Sequence, residues 1–284
     1  MNPELSNARE LLAFYLDAGV DALVGEEAVD RMAEPPVASF AEGEAAAKQQ
    51  EGGEAPSSAS RKPFPPPPLP RNEAANAPAQ AASPPPEVAV MAAREAAASA
   101  KDLDALRGLL ENFKGCGLRA TATQLVFADG NPKARVMFVG EAPGYEEDIS
   151  GKPFVGRSGK LLDRMMEAIG LDRTKAYIAN VVPWRPPGNR TPTPQETAIC
   201  LPFIRRQIEL ADPDILVTLG QPATQTLLDT HEGITRTRGR WFKYDTGKRE
   251  IRAMATLHPA YLLRQPLQKR LAWRDFLALK KALA

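Results

Sequence analysis

The sequence predicts a three-layer α/β/α sandwich on a mainly parallel four-stranded sheet. Three observations carry this. Four short apolar runs, 135–139 ("RVMFV"), 177–182 ("YIANVV"), 214–219 ("DILVTL") and 251–256 ("IRAMAT"), have the length and content of strands buried on both faces. The segments between them carry apolar residues at helical spacing. Strands and helices alternate along the chain, the order that covers both faces of a parallel sheet.

Taken in order, residues 4–32 have apolar positions at helical spacing, so 1–34 is expected to be a short helical segment. Residues 35–88 are rich in Pro and Ala and too poor in core-forming side chains to fold, and a disordered linker with stiff polyproline pieces is expected. Its "PFPPPPLP" at 63–70 suits a proline-recognising protein partner, although a plain spacer carries more weight. The main domain is expected over 89–284, entered through an alanine-rich helix at 88–112. Further on, "SGKLLDRMMEAIG" reads as an amphipathic helix ending at Gly170. "TPTPQE" supplies Thr193, Pro194 and Glu196 as N-cap, first turn and capping box of another, and a third begins near "QPATQTLL".

Composition narrows the function. Across 284 residues the net charge is only +1, but residues 1–111 hold 9 Lys/Arg against 18 Asp/Glu, and 112–284 hold 27 against 17. A basic domain that meets a polyanion, joined to an acidic appendage, fits this split. No run of 18 apolar residues or secretory leader is visible, and two cysteines cannot build a disulfide framework. A cytoplasmic monomer acting at the nucleoid, without a membrane partner, is expected.

Open α/β sheets bind ligands beyond the carboxyl ends of their strands. There the sequence offers "GEAPGYEEDISGKPF" with four carboxylates and Phe154, then Asn180, and finally His258 in "LHPAYLLR". "GRSGK" at 156–160 lacks P-loop spacing and does not directly follow a strand. An aromatic face, an amide with one donor edge and one acceptor edge, and a histidine suit recognition of a flat heterocycle. Leu262 and Leu263 are candidates to wedge into a base stack, with Arg264 beside them. These are parts for extracting a base from DNA.

Four stretches, "GEAPGYEEDISGKPFVGRSGKLLDRM", "NVVPWRPPGNRTPTPQE", "GITRTRGRW" and "LHPAYLLR", resemble family 4 uracil-DNA glycosylases in order and spacing from about 113 to 284. The resemblance implies hydrolysis of the N-glycosidic bond of deoxyuridine in DNA. It implies catalytic roles for Glu141, Glu147 and His258, and uracil contacts from Ala142, Phe154, Asn180 and His258. It assigns DNA contacts to Ser158, Lys160, Asn189, Arg190, Leu262, Leu263 and Arg264. Carboxylates suit the oxocarbenium-like sugar of such a transition state, and a donor on uracil oxygen suits the departing anion. Whether Glu141 or Glu147 positions the water stays open, and Glu147 is also placed to crowd the pyrimidine C5. A non-catalytic protein that binds uracil or abasic-site DNA is the alternative.

The sequence departs from that family at one point. The resemblance implies a [4Fe–4S] cluster on four cysteines, but only Cys116 and Cys200 match, and Phe113 and Trp184 stand at the other two positions. Two thiolates do not replace four ligands. No cofactor is therefore expected, with aromatic packing in place of the cluster.

Overall fold

All four apolar runs form strands, and these four are mutually parallel. They belong to a six-stranded sheet of β1 (Asp129–Gly130), β2 (Val136–Gly140), β3 (Ala176–Asn180), β4 (Ile215–Leu219), β5 (Trp241–Asp245) and β6 (Glu250–Thr256). The order is β1-β3-β2-β4-β6-β5, with β1 and β5 antiparallel at the edges. The expected four strands are thus corrected to six. β1 has two residues, and β5 ("WFKYD") alternates exposed and covered positions, so neither forms an apolar run.

The structure is a computed structural model and describes residues 86–284. The expected helical segment at 1–34, the linker as far as residue 85 and the proline run at 63–70 lie outside the described residues. Helices follow as α1 (Pro86–Ser99), α2 (Leu103–Asn112), α3 (Leu118–Thr121), α4 (Tyr145–Ser150) and α5 (Arg157–Glu167). Then come α6 (Pro194–Ala211), α7 (Gln221–Leu228), α8 (Ile234–Thr237), α9 (Pro259–Arg264) and α10 (Lys269–Leu283). The helix expected over 88–112 is two, because Asp102 accepts the Ala105 N–H at 2.8 Å and starts a new one. α6 begins as its sequence requires: Thr193 accepts the Glu196 N–H at 3.2 Å and Glu196 accepts the Thr193 N–H at 2.7 Å.

Alternation along each strand builds two cores. Met137, Val139, Ala179 and Leu216 face α1, α2, α6 and α7, while Val136, Phe138, Ile178 and Val217 face α5 and α10. This is the three-layer sandwich. The chain runs from β2 to β3 on one side and then crosses to β4 on the other. The crevice created by that reversal, beyond Gly140, is where a ligand is expected. Among the described residues no helix is long and apolar enough to cross a membrane.

Candidate active site

Gly140 and Asn180 end neighbouring strands in register, and the pocket is built on that pair. A Cβ on residue 140 would lie 2.5 Å from Asn180 Oδ1 and 2.6 Å from Phe154 Cζ. Only a bare backbone lets the amide and the ring converge there. Phe154 holds a left-handed backbone (φ 56°), unusual for a bulky residue and a strain that needs outside support. Arg173 supplies it, donating to the Phe154 carbonyl and, at 3.2 Å, to that of Pro153. Asp129 at 2.6 Å and Asp163 at 2.9 Å hold Arg173 in turn. Gly159 completes the support, since a Cβ there would sit 1.7 Å from the Phe154 carbonyl oxygen.

His258 caps α9, and its ring centroid lies 5.6 Å from that of Phe154. Its Nδ1 accepts the Ala260 N–H at 3.1 Å, which leaves Nε2 to carry the proton of the neutral ring. Burial, followed by the nearby Arg264 charge, pushes its pKa down to about 4. At neutral pH His258 is an uncharged donor.

The acidic loop divides into carboxylates with different work. Glu147 Oε1 accepts the Val155 N–H at 3.1 Å and the Gly156 N–H at 3.0 Å, while Oε2 accepts the Gly144 N–H at 3.1 Å. Both oxygens are engaged in bracing the loop, so Glu147 is poorly placed to take a proton from water. Asp148 is a brace of the same kind, bound to the Thr123 N–H at 2.9 Å and the Thr123 hydroxyl at 2.8 Å. Glu141 differs. Its Oε1 is buried with no hydrogen-bond partner among the described residues. Burial raises its pKa, opposed by a hydrogen bond from Thr191. The only other orphan of this kind among the described residues is Asn180 Oδ1.

Glu141 and Asn180 both line one cavity of about 210 Å³, the room of about seven waters at ~30 Å³ each. Ala142, Glu147, Phe154, Ser158 and His258 line it too, with Asn189 and Arg190 at its side. Arg190 is tied to Glu196 by two bonds of 2.8 and 2.6 Å, which fasten its loop to the start of α6. A neighbouring groove of about 510 Å³ is lined by Tyr145, Arg157, Leu263 and Arg264, and it shares Ser158 and Asn189 with the cavity. The Arg185 guanidinium stacks 5.0 Å from the Tyr145 ring.

The structure therefore gathers nearly all the residues singled out in the sequence. Lys160 lines neither hollow and lies exposed on α5. Leu262 requires a correction. It is fully buried against Leu257 and Ala272, so it cannot enter a base stack without emptying its own cluster. Leu263 is the side chain left at that tip. Sequence reasoning missed Arg173, Thr191 and Tyr145; no local pattern marks the first, because its partners lie 10 to 44 residues away.

The residues present do not fit an iron–sulfur cluster. Cys116 and, on α6, Cys200 are buried in the core, and the Cys200 thiol is pushed up, first by its hydrogen bond with Cys116 and then by burial. Trp184 is buried in the same cluster, and Phe113 meets Phe203 edge-on at 5.0 Å. Among the described residues no three His, Cys, Asp or Glu side chains are grouped to hold a metal ion.

Comparison with known proteins agrees with this geometry. The family model for the uracil DNA glycosylase superfamily matches residues 127–277. A type-4 uracil-DNA glycosylase of Thermotoga maritima is 46% identical over 150 residues, covering 52% of this chain and 77% of the relative. One from Sulfurisphaera tokodaii is 40% identical over 182 residues, covering 61% and 83%. One from Archaeoglobus fulgidus is 39% identical over 170 residues, covering 58% and 85%.

Proposed function

The chain belongs to the uracil-DNA glycosylase superfamily, and from the chemistry of its pocket we infer a DNA-repair glycosylase that releases uracil from DNA and leaves an abasic site. The observation that carries this is the orphaned Asn180 Oδ1 beside the Phe154 ring. A buried acceptor without a partner costs stability unless a ligand supplies the donor. Uracil N3–H is such a donor, and the Asn180 Nδ2 group then meets O4. Cytosine offers the reverse pattern and is excluded while the amide keeps its orientation.

The remaining groups meet the two charges of bond cleavage. As the C1′–N1 bond breaks, the bonding pair leaves with uracil, and His258 Nε2–H donates to the charge growing on O2. The sugar becomes oxocarbenium-like, and Glu141 stabilises it. Water then bonds to C1′ and gives its proton to Glu141, whose raised pKa makes it a better base than an exposed carboxylate. Glu147 holds the loop that carries this group. Ser158, Arg264 and the exposed Lys160 serve the phosphates, and Leu263 fills the space the uridine vacates. We propose that this chemistry proceeds without an iron–sulfur cluster, with Phe113 and Trp184 packing where thiolates are missing. No step above needs the cluster.

The test is direct. Purified protein is incubated with uracil-containing single- and double-stranded oligonucleotides, free uracil is measured, and alkali is used to cut abasic sites. Uracil release with matching strand cleavage is expected. Tight binding to uracil DNA without release would overturn the reading in favour of a binding protein.

A further inference from the structure

α5 and α10 lie side by side under the sheet, and a third hollow of about 200 Å³ opens between them. Leu161, Met165, Leu262 and Phe276 line it, and Trp273 forms a wall. Trp273 is 43% exposed. Arg164 and Lys269 stand at the rim.

The surroundings are cationic. On α5, Arg157, Lys160 and Arg164 are exposed at spacings that share one helix face. On α10, Lys269, Arg270 and Arg274 are exposed around Trp273. Two acids of these helices, Asp163 and Asp275, are already paired with Arg173 and Arg238. Glu167 is the one other acid on these two helices, and Glu146 lines the groove with Arg157.

This hollow continues the proposed DNA face. α9 gives Leu262 to it, and Leu263 and Arg264 to the groove outside the active-site cavity. Ser158, which lines that cavity, is six residues before Arg164 on α5. At ~1.5 Å per residue that is about 9 Å, which an unpaired strand covers in one or two nucleotides, because its step is longer than the ~3.4 Å rise of a stacked duplex strand.

We propose that the hollow is a subsite for one unpaired DNA base, stacked on Trp273, one or two nucleotides from the extruded uridine. Arg164 and Lys269 hold the adjoining phosphates. A flat apolar slot ringed by cations matches a strand that alternates flat rings with anions. A duplex keeps its bases inside the stack and cannot fill the slot, so the subsite favours uracil with unpaired flanks. An apolar peptide would fill the slot but leave the cations without counter-charges. This inference rests on the glycosylase reading and adds the form of its substrate.

The test uses single-stranded oligonucleotides with one uracil, in which flanking bases on either side are replaced one at a time by a stable abasic residue. KM and the saturating single-turnover rate are measured for wild type, Trp273→Leu and Trp273→Phe. Trp273→Leu is expected to raise KM roughly tenfold, more than it lowers the saturating rate, and Trp273→Phe to restore most of the loss. Removing the base at one position one or two nucleotides from uracil should cost wild type a similar factor and cost Trp273→Leu nothing further. Annealing the complement should shrink the Trp273→Leu effect. Losses that add at every position, an unchanged KM, or an equal loss on duplex would overturn the subsite. In those cases uracil release by wild type leaves the glycosylase reading intact, whereas no release from any strand removes both.

Discussion

Ala260 donates its backbone N–H to Nδ1 of His258 at 3.1 Å, and that bond decides which ring nitrogen holds the proton. A histidine committed in this way presents Nε2–H to the cavity without carrying charge. The pKa of about 4 keeps it so across the physiological range.

His258 is therefore expected not to titrate between pH 8 and 5 when followed by NMR, and its protonation should not limit excision there. The folded pKa lies below the ordinary 6.5, so the unfolded chain binds a proton that the native state refuses. The His258 contribution to stability is complete above pH 6.5, declines as pH falls through that value, and levels off below about 4. His258→Ala should slow single-turnover excision by about a hundred- to a thousandfold, about 2.7–4 kcal/mol, with a smaller effect on binding of abasic-site DNA. Equal losses in both would mark a structural histidine instead.

Asn180→Asp should sharply reduce uracil excision and raise action on cytosine relative to uracil, because a protonated carboxyl can present the complementary edge. Kinetics with matched uracil and cytosine strands decide this. An unchanged uracil rate would mean that Asn180 does not read the base.

Glu141 and Glu147 should separate by kind of effect. Glu141→Gln keeps the shape and should slow the chemical step while leaving the melting temperature nearly unchanged. Glu147→Ala strands three backbone N–H groups at about 1–3 kcal/mol for a buried donor, and should lower the melting temperature by several degrees. If Glu147 also fills the space at C5, the same variant will release some thymine. A stable Glu147→Ala protein with a lost rate would reverse the two roles.

Purified protein should contain no iron and show no broad absorbance near roughly 400 nm while fully active. Iron analysis and a visible spectrum on the preparation used for the uracil assay check this. About four irons per chain would refute it.

Arg173→Met removes the guanidinium that holds the Phe154 backbone while keeping most of its apolar length. With its carbonyl released, Phe154 should leave the left-handed region and lose its place against His258. Uracil excision should then show both a higher KM and a lower saturating rate, although Arg173 does not line the cavity. A change in thermal stability alone would limit Arg173 to a structural role.

Sequence alone determined the elements that local pattern encodes. Continuous apolar runs marked the four parallel strands, and "TPTPQE" marked the start of α6, because burial on two faces and a capping box leave signatures within a few residues. It also pointed to the strand ends as the place to look, and Glu141, Phe154, Asn180 and His258 do line one cavity. The edge strand β5 escaped because its charged, half-exposed pattern matches a loop as well as a strand. Only the tertiary structure decided what neighbouring residues of like chemistry do. Glu141 and Glu147 are both carboxylates of one loop, yet three backbone N–H groups turn toward the second, while an oxygen of the first is buried without a partner among the described residues. Leu262 and Leu263 are adjacent and identical in type, but helical rotation buries one and leaves the other lining the groove outside the cavity. The role of a polar or apolar side chain depends on which distant groups surround it, and those groups meet only when the chain has folded.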